Sequence, residues 1–142
     1  MITERQDLLA SLLPVTKALR RIEDAAAAAH GVTMWQYAVL AVVTPRPGVN
    51  QAEVAALMDY SKNRIIADLD HLQQRGLLIR EPGADRRSNV LRVTDDGVTV
   101  MRDVQAEIHR GEDMLMTGLS LTAVRDFQRI SRRLGGLVRR RS

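Results

Sequence analysis

The sequence predicts a mainly α fold carrying one small β-hairpin, and three features predict it. Ile65, Leu69 and Leu72 recur at i, i+4 and i+7 behind Ser61, whose hydroxyl can accept from a free amide of the first helical turn. Two short apolar runs, Leu77-Leu78-Ile79 and Val90-Leu91-Arg92-Val93, flank a polar segment rich in turn formers. Long amphipathic patterns fill both ends of the chain. A short helix, a turn, a longer helix and a hairpin, in that order, make the layout of a helix-turn-helix with a wing.

The short helix opens at Asn50-Gln51-Ala52-Glu53, which has the N-x-x-E form of a capping box, and Val54 and Leu57 are its expected inward positions. Met58-Asp59-Tyr60 is a turn of the length expected between the two helices of such a motif. In the helix that follows, an inward stripe of Ile65, Leu69 and Leu72 places Asn63, Ala67, Asp70 and Gln74 on the opposite face, with Lys62, Arg64, Ile66 and His71 on the flanks. Its first turn is therefore polar, basic and exposed.

A helix of this kind fits the major groove of duplex DNA, and its N-terminal residues reach the base edges. Asparagine pairs two-pronged with adenine, arginine or lysine with guanine, and either cation also holds phosphate. Taken alone, three polar residues at a helix start are an ordinary solvated face. The capped helix before them and the hairpin after them give Lys62, Asn63 and Arg64 a specific task.

Gly76 ends the second helix. Residues 81–89, EPGADRRSN, are too polar to bury and too rich in turn formers for a helix, so they form a loop projecting Arg86 and Arg87. The minor groove concentrates negative potential between narrow walls and suits a projecting guanidinium. Asp85 beside the arginines can fix the direction of one of them through a charge-assisted pair.

Gly76-Leu77, then Pro82-x-x-Asp85-Arg86-Arg87, then Val90-Leu91-Arg92-Val93-Thr94-x-x-Gly97 resembles the wing signature of the MarR family of winged-helix transcriptional regulators. The flanking helices fit that family in order and length, so the resemblance extends over essentially the whole chain. It implies a single domain over 1–142, with the winged helix-turn-helix at about 33–94 and dimerisation helices at about 3–30 and 95–141. It implies that Arg87 enters the minor groove with Asp85 as its brace and Arg86 alongside. It also implies a homodimer on a near-palindromic operator, acting as a repressor, and a small-molecule effector held near Trp35, Tyr37 and Met101. In one respect the chain departs from the pattern. Many members carry Val-Thr-Arg where this sequence has Ile65-Ile66-Ala67, which shifts more of the helix's readout onto Lys62, Asn63 and Arg64, beside Ser61 in the expected DNA-binding set.

The ends of the chain supply the expected dimer helices. Thr3-x-x-Gln6 has the form of a capping box for a first helix through Leu8, Leu9, Leu12, Leu13, Leu19 and Ile22. Pro14 either kinks that helix or starts it afresh, and His30-Gly31 ends it. Met34 to Val43 is apolar nearly all round, which suits a buried helix stopped by Pro45. Thr94 caps a long helix with Asp95 and Asp96 in its favourable first turn, running past Val98, Met101, Val104 and Ile108 to about Gly118. In the last helix Phe127, Ile130, Leu134 and Leu137 make a seam for helix packing. Apolar seams at both ends, with no sheet to cover them, are most simply buried against a second copy of the chain.

Charge follows the same division. The net charge is +4, but residues 61–92 hold seven Lys/Arg against four Asp/Glu, residues 93–119 two against six, and residues 120–142 seven against one. Cations in the reading segment are what phosphate binding requires. Those at the C-terminus could add to it, but the resemblance implies terminal helices at the dimer end, away from DNA, so they are expected to be solvated or to pair with the acidic helix before them.

Other function classes find little in the sequence. A chain of 142 residues, 45% hydrophobic and 27% charged, suits one globular domain. It has no cysteine, which excludes disulfides and thiolate chemistry. His30, His71 and His109 are widely spaced with no metal-ligand pattern, and there is no phosphate loop or nucleophile elbow. The chain is therefore read as a non-enzyme without cofactor or metal. No membrane span or signal peptide is evident, so the expected location is the cytoplasm. Fold and charge also admit a protein-interaction module, a reader of RNA or an effector-free nucleic-acid binder.

Overall fold

A computed structural model describes residues 4–83 and 89–141. In chain order it contains α1 (Leu8–Ala29), α2 (Met34–Val43), α3 (Gln51–Met58), α4 (Lys62–Gln74), β1 (Leu78–Pro82), β2 (Asn89–Val93), α5 (Asp95–Leu115) and α6 (Leu121–Arg141). Two compact units divide the chain at Ile108 and His109.

In the first unit α2 packs against α1, α3, α4 and β2. The composition of α2 explains this position: Val39, Leu40 and Val43 are all buried, and so is Gln36. Ile65, Leu69 and Leu72 of α4 are buried as the stripe predicts, at 1%, 0% and 0% exposure, and meet Leu78 of β1 and Leu91 of β2 in one core. Full burial of each such side chain contributes about 1.5–3 kcal/mol. The core thus fixes which face of α4 remains outside.

Strands β1 and β2 pair antiparallel with Leu78 opposite Val93 and Pro82 opposite Asn89. The hairpin therefore extends beyond the predicted strands: Glu81, Pro82 and Asn89 belong to the ladder and not to the loop. Strand β2 meets a further partner on its other edge, where Asn50 bridges Val90 and the Leu91 amide donates to the Val49 carbonyl at 2.9 Å. That bond ties the wing to the entrance of α3.

Three other expectations are corrected. Helix α1 begins at Leu8 behind Asp7, which makes no side-chain cap, so Gln6 lies upstream of the helix and Thr3 lies outside the described residues. Leu8, Leu9, Leu12 and Leu13 are exposed, leaving no packing within the first unit to hold an earlier turn in place. Helix α1 also runs through Pro14 without a break. In α3, Leu57 is 53% exposed while Val54 and Ala55 are buried, because a helix this short turns only one narrow edge to its neighbours. Helix α5 ends at Leu115, before Gly118.

Thr94 makes the joint between wing and α5. Its hydroxyl accepts from the Gly97 amide at 3.1 Å and donates to the Gly76 carbonyl at 2.7 Å, and its own amide donates to the Leu77 carbonyl at 3.1 Å. Gly97 sits so close to this joint that a Cβ there would collide with the Leu77 carbonyl oxygen. The close approach accounts for the glycine.

The second unit contains the end of α5 and the whole of α6. None of the described residues of α6 is buried, and Phe127, Ile130, Leu134 and Val138 are all exposed. No single helix among the described residues is long and apolar enough to cross a membrane, although α1 and α2, bent by 82°, pass that test as a pair.

Candidate nucleic-acid interface

The two helices at the centre of the candidate interface are both capped as their sequences predict. Asn50 accepts from the Glu53 amide at 2.8 Å and Glu53 returns the bond to the Asn50 amide at 3.4 Å. Ser61 Oγ accepts from the Arg64 amide at 3.2 Å. Between them Asp59 adopts a left-handed conformation, φ 48°, which aspartate tolerates better than most residues. This abrupt turn sends α4 away from α3 and leaves Ser61, Lys62, Asn63 and Arg64 exposed on its first turn.

A polar network that the sequence did not reveal holds this end of α4 in place. Tyr60 Oη donates to Asp68 Oδ2 at 2.7 Å, and Gln36 Nε2 of α2 donates to Asp68 Oδ1 at 3.3 Å. The Tyr60 ring stacks on Trp35 of α2, with centroids 4.7 Å apart and planes inclined by 10°. Burial, and behind it the hydrogen bond to Asp68, pushes the Tyr60 hydroxyl up to about 12. It therefore stays a neutral donor at physiological pH. Gln36 is itself fixed by a capping box with Thr33, whose hydroxyl accepts from the Gln36 amide at 3.1 Å and whose amide donates to Gln36 Oε1 at 3.0 Å. The T-x-x-Q spacing carried that signal. The Tyr60 to Asp68 bond had none, since it joins residues across a turn.

Other bonds link α4 to its surroundings. Arg80 of β1 donates to Gln73 Oε1 at 2.7 Å and pairs with Asp70, so the acidic residue on the outer face of α4 is matched by a cation of the wing. Arg75, at the end of α4, donates to the carbonyls of His30 and Gly31 at 3.1 and 2.8 Å. His30 Nε2 in turn donates to Glu107 Oε1 of α5 at 3.1 Å. Across the hairpin Arg92 pairs with Glu81 at 3.1 Å. Both ends of α4 are thus anchored to other elements, and its first turn faces outward.

The structure brings Ser61, Lys62, Asn63 and Arg64 together. Asp85, Arg86 and Arg87 lie outside the described residues, between the paired ends of β1 and β2. Of the three residues expected near an effector, Met101 belongs to the core, Tyr37 packs half-buried against it, and Trp35, 40% exposed, is stacked on Tyr60. A separate open groove of about 310 Å³ lies behind the wing, with Val43, Arg46, Pro47, Glu81, Val90 and Val98 in its lining. No group of three potential metal-ligating side chains occurs among the described residues.

Comparison with known proteins shows what this geometry is similar to. The MarR family model matches residues 30–88, the stretch from the end of α1 through the wing. A protein of Thauera aromatica named "Putative transcriptional regulatory protein for hcr operon" is 28% identical over 104 residues, which make up 72% of this chain but only 63% of that relative. The chain thus spans less than two thirds of that relative's length. The crystal structure of MarR is similar with a TM-score of 0.86 and 25% identity, covering 99% of this chain and 97% of that one. CouR from Rhodococcus jostii RHA1, solved with bound p-coumaroyl-CoA, is similar with a TM-score of 0.76 and 24% identity over 91% of both chains. Two capped helices, an antiparallel hairpin and long helices on either side, in one shared order, make this chain similar in fold to the crystal structure of MarR, and its residues 30–88 match the MarR family model.

Proposed function

We propose that the protein is a sequence-specific reader of duplex DNA that acts as a homodimeric repressor on a near-palindromic operator. The observation that carries this reading is the first turn of α4. Its caps, its network to α2 and its buried stripe hold Lys62, Asn63 and Arg64 on the exposed side of a helix, an element that a major groove admits. Asn63 and Arg64 read bases, Lys62 and Ser61 hold phosphate, and Arg86 and Arg87, braced by Asp85, enter the adjoining minor groove. Loss of one bidentate base contact costs about 1–3 kcal/mol of discrimination.

Dimerisation supplies the second reader. The exposed leucines of α1 and the exposed seam of α6 become the interface, and the two α4 helices then meet successive major grooves about 10 bp apart. Release from DNA comes from a small acidic or acyl effector that binds near Trp35, Tyr37 and Met101 and shifts the spacing of the readers. Support for this part of the reading is the aromatic acyl-CoA in the CouR structure and the position of Trp35 against Tyr60, one residue from the start of the reading helix.

Selection of bound fragments from genomic DNA tests the proposal. Recovered fragments sharing two inverted half-sites about one helical turn apart are the expected result. Fragments without a common sequence, or binding to single-stranded RNA in preference to duplex, would overturn it.

A further inference from the structure

We infer that α6 carries a second nucleic-acid contact, a row of arginines that grips the phosphate backbone of duplex DNA without reading its sequence. At 3.6 residues per turn, Arg125, Arg129, Arg132, Arg133 and Arg140 fall within an arc of about 100°. All are exposed. The apolar residues Phe127, Ile130, Leu134 and Val138 lie on the opposite side of the helix. The single carboxylate of α6, Asp126, lies at the margin of the arc and pairs with Arg129 at 3.6 Å. Arg125, Arg132, Arg133 and Arg140 make no ion pair among the described residues, so the acidic tail of α5 does not neutralise them.

The inference rests on the dimer proposed above: with the apolar side of α6 covered by a second copy, the arginine side is what remains for a ligand. From Arg125 to Arg140 the row is about 22 Å long at 1.5 Å per residue. Each DNA strand presents one phosphate per about 3.4 Å of axis, so the row faces roughly six phosphates of one strand. A rigid row of a single sign matches that regular array, and each guanidinium can hold a phosphate with two parallel hydrogen bonds. An acidic protein segment would lack the fixed spacing, and an anionic membrane, which can also attract a cationic face, offers no ordered array to match it.

The test compares three variants of the full chain, by the salt dependence of their binding to a random-sequence duplex and by their preference for a selected operator. Arg125→Gln, Arg132→Gln, Arg133→Gln and Arg140→Gln together should keep helicity and dimer mass but reduce the slope of log Kd against log salt by two to four, at about 0.9 per phosphate contact. Lysine at the same four positions should restore most of the slope. Lys62→Ala, Asn63→Ala and Arg64→Ala together should abolish sequence preference while the α6 contribution to the slope persists. An unchanged slope in the glutamine variant overturns the inference. So does retention of polyglutamate or phosphatidylserine vesicles, but not duplex, by the reader-deficient protein. Unaltered sequence preference in the reader-deficient protein would instead refute the α4 reading and leave the arginine row standing.

Discussion

Helices α4 and α6 are both amphipathic, yet only α4 finds cover for its apolar side within its own chain. Ile65, Leu69 and Leu72 are sealed against α2 and the hairpin, whereas Phe127, Ile130 and Leu134 of α6 are 38%, 52% and 51% exposed. The polar sides differ in the same sense. Tyr60, Asp68, Gln73, Arg75 and Arg80 fasten α4 to its neighbours, while among the described residues only Asp126 pairs with an arginine of the α6 row. Under the proposed function, α4 must hold its position before it meets DNA, whereas the cover of α6 can come from a second copy.

This contrast gives opposite expectations for core substitutions in the two helices. Leu69→Ala should cost about 2–5 kcal/mol in urea unfolding, with no dependence on protein concentration in the loss itself. Leu134→Asp should leave the fold of the first unit intact and convert the proposed dimer to monomer by light scattering. A concentration-dependent loss for Leu69→Ala, or a Leu134→Asp protein that stays dimeric, would break the distinction.

Gly97→Ala comes next in size. The added methyl must displace either the Leu77 carbonyl or the start of α5, and overpacking of this kind costs about 1–3 kcal/mol or more. Thermal unfolding should show a lowered Tm, and an unchanged Tm would mean that the joint at Thr94 is looser than its three hydrogen bonds imply.

Tyr60→Phe removes the bond to Asp68 and should cost about 1–3 kcal/mol, with a parallel loss of affinity for the operator. Its pH dependence sharpens the expectation. The folded protein holds the Tyr60 proton up to about 12 against an ordinary 10.0, so its contribution is complete below pH 10 and is lost as pH rises through 12. Stability of the parent protein should decline more steeply across that interval than stability of Tyr60→Phe. Equal slopes would show that the hydroxyl does not hold α4.

The smallest effect is expected at the hairpin surface. Arg92 and Glu81 form an exposed pair, and Arg92→Gln should change stability by less than about 1 kcal/mol. A larger loss would mean that the hairpin depends on its surface charges and not on Leu78 and Leu91.

What the sequence made legible follows the range of each interaction. The caps at Asn50, Ser61 and Thr94 and the stripe of α4 are local patterns, complete within one or two turns, and the structure has each of them. Strand ends at Pro82 and Asn89 were not legible, because pairing across the hairpin decides them and polar residues make poor strand signals. Leu57 misled because leucine reads as core, and a short helix offers little room inside. Thr3-x-x-Gln6 misled because a capping pattern is only as good as the packing that follows it. The Gln36 to Asp68 bond spans thirty-two positions, and no periodicity within one chain reports such a contact.

The central claim is that the first turn of α4 reads bases. Its most direct test is the affinity of the Asn63→Ala, Arg64→Ala protein for its selected operator and for a scrambled duplex, with folding and mass checked alongside. Preference for the operator should fall by roughly tenfold to a hundredfold for each base contact removed, while binding to the scrambled duplex changes little. An operator preference equal to that of the parent protein, in a variant that remains folded and dimeric, would contradict it.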